Sequence, residues 1–376
     1  MEKPTLLIAA DTYYPKVDGV LTFMEEFMKR ARNSFTINLL VPKFSTEEKF
    51  LDIKVQFLAL SKRLGMFNYK TIRLSLQNLS KIKHAVKQSD LIFIQELGPV
   101  GIFSLHYALR YHKKKVLYVH NTPWEFLEKY FSLRSLSSKL IRKYYVSLYN
   151  KADLLLIPFL DLEKEFRAVG ITAPIEVARL GVDMERFTPS MDKNSSKQGL
   201  NLPLRPIIGY VGRISPEKNT LTLLRAFKKL KEGFLIMVGD GTKDLVEKFT
   251  ATQNCRVTGF VPDVEKYLKA MDLFIMPSLT ETTSLSTLEA MSAELPVIST
   301  RIGFMKSYIV RGYNGIFFPK NNASVLALKI EKLLQDPGLR QKLGENARKT
   351  IVYSFSWERS IERIIYLLQT PLSQNK

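Results

Sequence analysis

Glu281 and Glu289, separated by seven residues, lie downstream of the segment GYVGRISPEK (209–218), which carries Arg213 and Lys218. An arginine can grip a phosphate through two parallel N–H donors, and a lysine adds a compact point charge. Ionised carboxylates only accept hydrogen bonds, so they suit a ring of hydroxyls. Two cations followed by two carboxylates therefore fit a ligand that joins phosphates to hydroxyl-bearing rings. Taken singly, each has an ordinary reading: solvated cations on a loop, an acid near a helix N-terminus, an acid on a helix surface.

The elements that must hold these residues alternate between short apolar runs and helix-length segments, the pattern of parallel strands with helical crossovers. Strands are expected at 5–10, 36–41, 90–95, 115–120 and 153–158, then at 207–211, 234–238, 256–260, 273–277, 297–300 and 315–318. Between the two series, PSMDKNSSKQGLNLPLRP (189–206) is polar and aperiodic, a linker by composition. A length of 376 residues suits two domains. The expected division is 1–188, a linker at 189–204, 205–355, and a terminal helix from 356 to 376 with an apolar stripe at Trp357, Ile361, Ile364, Ile365 and Leu368. Two doubly wound α/β domains should bind their ligand at the carboxyl ends of their strands.

On this frame Arg213 and Lys218 sit just after strand 207–211, on a loop that opens a helix. In PSLTETTSLSTLEAMSAELPVIST (277–300), Glu281 lies in a loop and a helix starts near Thr283 or Ser284, which puts Glu289 in its second turn. A helix N-terminus offers backbone N–H groups and a partial positive charge to an anion. In the first half, Gly19 in DTYYPKVDGVLTF (11–23) permits close backbone approach. His120 ends KVLYVH (115–120), where a ligand would be met. Gly19 could equally be a turn residue and His120 a satisfied structural histidine.

The Arg-Lys loop, the glutamate pair, VTGFVPDVEKYLKAMDLFIMP (257–277), VARLGVDMERF (177–187) and SWER (356–359) occur in one order that resembles glycosyltransferase family 4, retaining enzymes of the GT-B fold. The resemblance covers nearly the whole chain and is densest over 205–320. It implies two Rossmann-like domains facing across a cleft, with the last helix crossing back to the first. It implies further that Arg213 and Lys218 bind the donor diphosphate, Glu289 the ribose and Glu281 the donor hexose. Gly19 would face the phosphates, Phe260 and Val261 the base, and Ser284 and Leu285 the donor. His120 would act near the reacting carbon. The stretch HNTPWEFLEKY (120–130) looks most like the lipid-glycosylating members, with Glu125 against the acceptor. Where common members read Glu, two residues, Gly, Leu, this chain has Glu281-Thr282-Thr283-Ser284-Leu285, so a side chain stands where phosphate would approach backbone. The implied reaction moves a hexose from a UDP- or GDP-sugar to a lipid or glycan acceptor. No Asp-x-Asp occurs, so no metal site is expected and the cations take its place; no other cofactor is expected.

Composition is that of a globular chain: 45% hydrophobic and 24% charged, with a mean hydropathy of −0.06. No apolar run approaches the roughly 20 residues of a membrane span. The start at TLLIAA (5–10) reads as a strand rather than a secretory leader, and a single cysteine, Cys255, excludes an internal disulfide. A cytoplasmic protein is expected. The net charge is +20, and residues 54–151 carry 18 Lys and Arg against 4 Asp and Glu. Residues 61–88 and 129–151 interleave basic with apolar and aromatic residues and contain no acid. Both are candidates for resting on an anionic membrane surface, and equally for solvated faces over a core. Charge alone would also permit a nucleic-acid binder, but no recognition motif accompanies it, and nucleic acid is not an expected partner. VGDGTKD (238–244) begins like a dinucleotide loop yet lacks its third glycine.

Overall fold

The computed structural model describes residues 3–15, 18–44, 53–62, 70–120, 122, 124, 136–281 and 283–373. The chain divides into two units: 1–179 together with 358–376, and 180–357. The first unit therefore ends at Arg179 rather than at 188. Segment 189–206 belongs to the second unit and carries helix Lys193–Gly199, capped by Asp192. That helix has no apolar stripe to betray it. It is fastened by Lys197, 5% exposed, whose Nζ reaches Asp272 Oδ2 at 2.8 Å and Arg205 O at 3.1 Å. Burying an ammonium in this way requires a paired carboxylate.

The first unit is a seven-stranded parallel sheet in the order β3-β2-β1-β4-β5-β6-β7. Its strands are β1 (Thr5–Ala9), β2 (Thr36–Pro42), β3 (Lys54–Leu58), β4 (Leu91–Ile94), β5 (Lys114–Tyr118), β6 (Leu154–Ile157) and β7 (Ile175–Val177). The central strands are apolar without alternation because helices cover both faces: β4 reads LIFI and β6 LLLI, all buried. Helix Gly19–Ala31 turns Leu21, Phe23, Met24 and Phe27 onto the sheet, with Phe27 5.3 Å from Phe93 between ring centroids. Helix Trp357–Ser373 joins this unit from residue 358 onward. Arg363 pairs with Glu176 at 2.9 Å, Arg30 with Glu358 at 2.8 Å, and Ser360 donates to Arg179 O.

The second unit is a six-stranded parallel sheet, β10-β9-β8-β11-β12-β13. Its strands are β8 (Ile207–Val211), β9 (Phe234–Val238), β10 (Cys255–Val257), β11 (Leu273–Met276), β12 (Val297–Thr300) and β13 (Gly315–Phe318). The strand order reverses between β1 and β4 in one sheet and between β8 and β11 in the other. Each reversal opens a crevice at the carboxyl ends of its two strands. The glycines of VGDG serve packing here: a Cβ on Gly239 would lie 2.2 Å from Gly212 O and one on Gly241 1.9 Å from Ile214 O. The loops after β8 and β9 can touch only because both are glycine.

Within the stretch 61–88, residues 70–75 are outside any helix. Leu60 bridges Ile72, and helix Leu76–Lys87 turns Ile82, Ala85 and Val86 inward; Lys81, Lys83 and Lys87 stay exposed, as do Leu74 and Leu76 at 68% and 87%, while residues 63–69 lie outside the described residues. Among the described residues, no helix is long and apolar enough to cross a membrane.

Candidate active site

In the second unit the loops after β8 and β11 are tied together. Leu279 N donates to Glu217 O at 2.9 Å, and Asn219, in the left-handed region at φ 52°, donates from Nδ2 to Pro277 O at 3.1 Å. This brings two of the expected residues into contact: Lys218 Nζ is ion-paired with Glu281 Oε1. Ser278 Oγ donates to the same oxygen at 2.8 Å. Arg213 Nη2 lies 3.2 Å from Glu217 Oε1, which also accepts from Ser215 Oγ at 2.6 Å. Each cation is thus pre-positioned by a carboxylate one loop step away, and Arg213 keeps about half of its side-chain surface open.

Of the two expected starts, Thr283 and Ser284, helix Leu285–Ser292 takes Ser284 as its N-cap, and Ser284 makes no side-chain cap. Its hydroxyl is engaged with Thr287 Oγ1 at 2.7 Å, and Ser284 stands at φ 58°, a region that a glycine enters at no steric cost. The carbonyl of Ser284 accepts from Thr287 N at 3.1 Å, while its side chain caps neither Leu285 N nor Ser286 N, which suits those two N–H groups to an anion. The first unit differs: Asp18 caps helix Gly19–Ala31 through Val20 N and Leu21 N, and Asp11 caps helix Pro99–Arg110 through Val100 N and Gly101 N. Gly19 is the first residue of its helix and exposed, but carboxylates already occupy the helix ends around it.

Glu289 lies on helix Leu285–Ser292, half-buried. Burial pushes its carboxyl up to about 7, with Arg186 opposing and Glu265 adding to the rise. Arg186 itself donates to Glu265 Oε2 at 2.9 Å and to Pro262 O. Sequence reasoning placed Arg186 inside VARLGVDMERF without giving it a part. Phe260, 65% exposed, and Val261 follow Gly259, whose carbonyl accepts from Gly239 N at 3.0 Å. The pair expected to face the base is thus on the loop after β10, adjoining the loop after β9. Cys255 is half-buried and its thiol is pushed up to about 12 by burial, which leaves it inert.

In the first unit, His120 lies two residues past β5 rather than on it. Its ring sits 5.1 Å from the Phe23 ring and 4.5 Å from the Tyr118 ring. Nε2 meets Gln95 Oε1 at 3.0 Å. Burial drives the imidazole down to about 3 against the pull of Asp18, so it is neutral at any physiological pH and can hydrogen-bond but not carry charge. Glu125 lies outside the described residues.

Two parallel-sheet α/β units in this order, with the last helix returned to the first, define the GT-B fold. HepE of Anabaena, solved in complex with UDP and glucose, superposes with a TM-score of 0.82 at 20% identity, over 97% of this chain and 99% of that one. Residues 192–350 match the glycosyl transferases group 1 family and residues 17–186 match glycosyltransferase family 4. The chain belongs to glycosyltransferase family 4. It is 31% identical to the sulfoquinovosyl transferase SQD2 of Arabidopsis thaliana over 58% of this chain and 44% of that one. It is 26% identical to an uncharacterized glycosyltransferase of Methanocaldococcus jannaschii over 93% of both. The match spans about half the length of the first curated relatives.

Proposed function

We propose that this protein is a retaining hexosyltransferase that moves a sugar from a UDP- or GDP-sugar to a lipid or glycan acceptor. The observation that carries the reading is the joined pair of loops in the second unit, where Lys218 meets Glu281 beside Arg213 and the N-terminus of helix Leu285–Ser292, which lacks a side-chain cap. A diphosphate entering there takes up Arg213, Lys218 and the helix N–H groups, and releases Glu281 to accept from a donor hydroxyl. As the bond from the anomeric carbon to phosphate ionises, negative charge grows on the leaving diphosphate. Cations fixed beforehand stabilise that charge more than the ground state, which is how they accelerate the step. The acceptor hydroxyl attacks from the leaving group's face and passes its proton to the leaving phosphate. Neutral His120 contributes a hydrogen bond near the reacting carbon, and Glu289 accepts from the ribose. Fixed side-chain cations supply what a divalent metal supplies elsewhere, and no cofactor is needed.

An acceptor at a membrane surface is favoured by helix Leu136–Tyr149. It exposes Leu140 and Tyr144 (60% and 51%) next to exposed Lys139 and Lys143. Apolar residues one turn apart, flanked by ammonium groups, suit an anionic interface. The test is a panel of nucleotide sugars, with and without anionic vesicles, reading nucleoside diphosphate release. Release with one donor that rises with vesicles is the expected result. Release with one donor that vesicles leave unchanged and a soluble glycan stimulates would move the acceptor into solution. Silence across the panel and a range of acceptors would overturn the reading.

A further inference from the structure

Gln95 follows β4 and is 1% exposed. Its backbone N–H continues the sheet, donating to Ala9 O at 2.9 Å. Its side chain has no such structural employment: among the described residues the amide meets one polar partner, Oε1 against His120 Nε2, and its Nε2 is buried with none. A buried amide with an unsatisfied N–H pair is unfavourable, and a leucine of similar size would fill the space without that loss. What the amide supplies here and a leucine would not is its oxygen, turned to His120.

An amide oxygen can only accept. The ring nitrogen facing it must therefore carry the hydrogen, and in a neutral imidazole the other nitrogen is then the acceptor. We propose that Gln95 is a positioning residue: it holds His120 as the neutral Nε2–H tautomer and so presents Nδ1 as a hydrogen-bond acceptor at the end of β5. This rests on the proposed transferase reading only in giving the presented nitrogen a substrate to meet. The ring is boxed in by Phe23 and Tyr118, so its orientation is held by packing and its tautomer by Gln95. The charged or titratable groups around it are Asp18, which acts on it electrostatically, and Glu96, Tyr118 and Tyr149, which line the same small cavity as Gln95 and His120. With an amide rather than a carboxylate at position 95, the ring gains an acceptor without being drawn into its charged form.

The experiment reads the tautomer in the free protein. The chain has four histidines, so ring-labelled histidine gives four sets of ring signals, and the His120 set is assigned by its loss in His120→Gln. The expected result is the Nε2–H tautomer, unchanged between pH 5 and 8. An Nδ1–H ring, or an even mixture, overturns the proposal whatever the protein transfers, and an enzyme silent on every donor leaves the tautomer result standing. Gln95→Glu adds the second readout. It is expected to bring the ring's titration up into the measured range. It should also lower kcat by about tenfold or more, the order by which changing the hydrogen-bond partner of a metal-ligating imidazole lowers activity, with donor KM moving far less. A Gln95→Glu protein with the parent's ring signals and pH profile would likewise overturn it.

Discussion

Lys218 and Glu281 come from loops after two neighbouring strands, 63 residues apart in sequence, and form one ion pair whose carboxylate oxygen also accepts from Ser278. The pair is mostly sheltered, with 19% and 9% of the two side chains exposed. Glu281 thereby holds the lysine in place until a diphosphate arrives. Glu281→Ala is expected to abolish detectable transfer while the far-ultraviolet circular dichroism stays that of the parent. Leaving the lysine unpaired should lower unfolding free energy by about 1–3 kcal/mol, read in urea. A folded and fully active variant would remove Glu281 from the mechanism.

The carboxyl of Glu289, pushed up to about 7, makes the second unit sensitive to pH. An unfolded glutamate ionises near 4.3, so between roughly pH 4.3 and 7 the native state binds more protons than the unfolded state and stability falls as pH rises. Glu289→Gln should therefore unfold at higher urea than the parent at pH 8 and at nearly the same urea at pH 4. If Glu289 accepts from the ribose, UDP or GDP binds the ionised form and its binding releases a proton near pH 6.5. Titration calorimetry in two buffers of different ionisation enthalpy reads that proton directly. Equal heats in both would separate Glu289 from the nucleotide.

Ser284 stands in the left-handed region, where a glycine would be unstrained, and its hydroxyl is spent on Thr287. Ser284→Gly relieves strain of about 1 kcal/mol and forfeits a hydrogen bond of similar size, so stability should shift by less than about 1 kcal/mol. With no side chain at 284 in the path of an approaching phosphate, the helix N-terminus should bind UDP or GDP several-fold more tightly, measured by calorimetry. Ser284→Val, branched at a positive φ, should lose about 2 kcal/mol or more. Weaker nucleotide binding by Ser284→Gly would show that the serine hydroxyl itself donates to phosphate.

What was legible in the sequence follows from how each feature is held. The buried central strands announce themselves as unbroken apolar runs, and the helix start is legible to within Thr283 or Ser284 because turn and cap chemistry is local. Two strands were not anticipated. β3 (KVQFL) is an edge strand with only Leu58 fully buried, and β7 is three half-buried residues. Neither carries an apolar run long enough to stand out. Helix Lys193–Gly199 was hidden for the opposite reason, since its hold is the ion pair of Lys197 with Asp272 rather than an apolar face. Arg213, Lys218 and Glu281 were named from residue type and order, but their contact needed the loops joined. Gln95, Asp11 and Arg186 left no signal, because each acts on a partner from a distant stretch: His120, the start of helix Pro99–Arg110, and Glu265.

The exposed side of helix Leu136–Tyr149 gives the last prediction. Lys139 and Lys143 are one turn apart, as are Leu140 and Tyr144, so both pairs project along one flank of the helix. Each ammonium near an anionic bilayer contributes about 1 kcal/mol of attraction. Reversing both charges in Lys139→Glu/Lys143→Glu should therefore weaken co-sedimentation with phosphatidylserine-rich vesicles by at least about tenfold, while UDP or GDP affinity in the second unit is unchanged. Raising the salt should weaken the parent in the same sense, because the attraction is screened within a Debye length of about 8 Å at physiological ionic strength. Leu140→Ser separates the two contributions: it should lower retention at high salt, where the apolar contact is what remains. If the double reversal sediments as the parent does, this helix is a solvated face, and the acceptor is to be sought among soluble glycans.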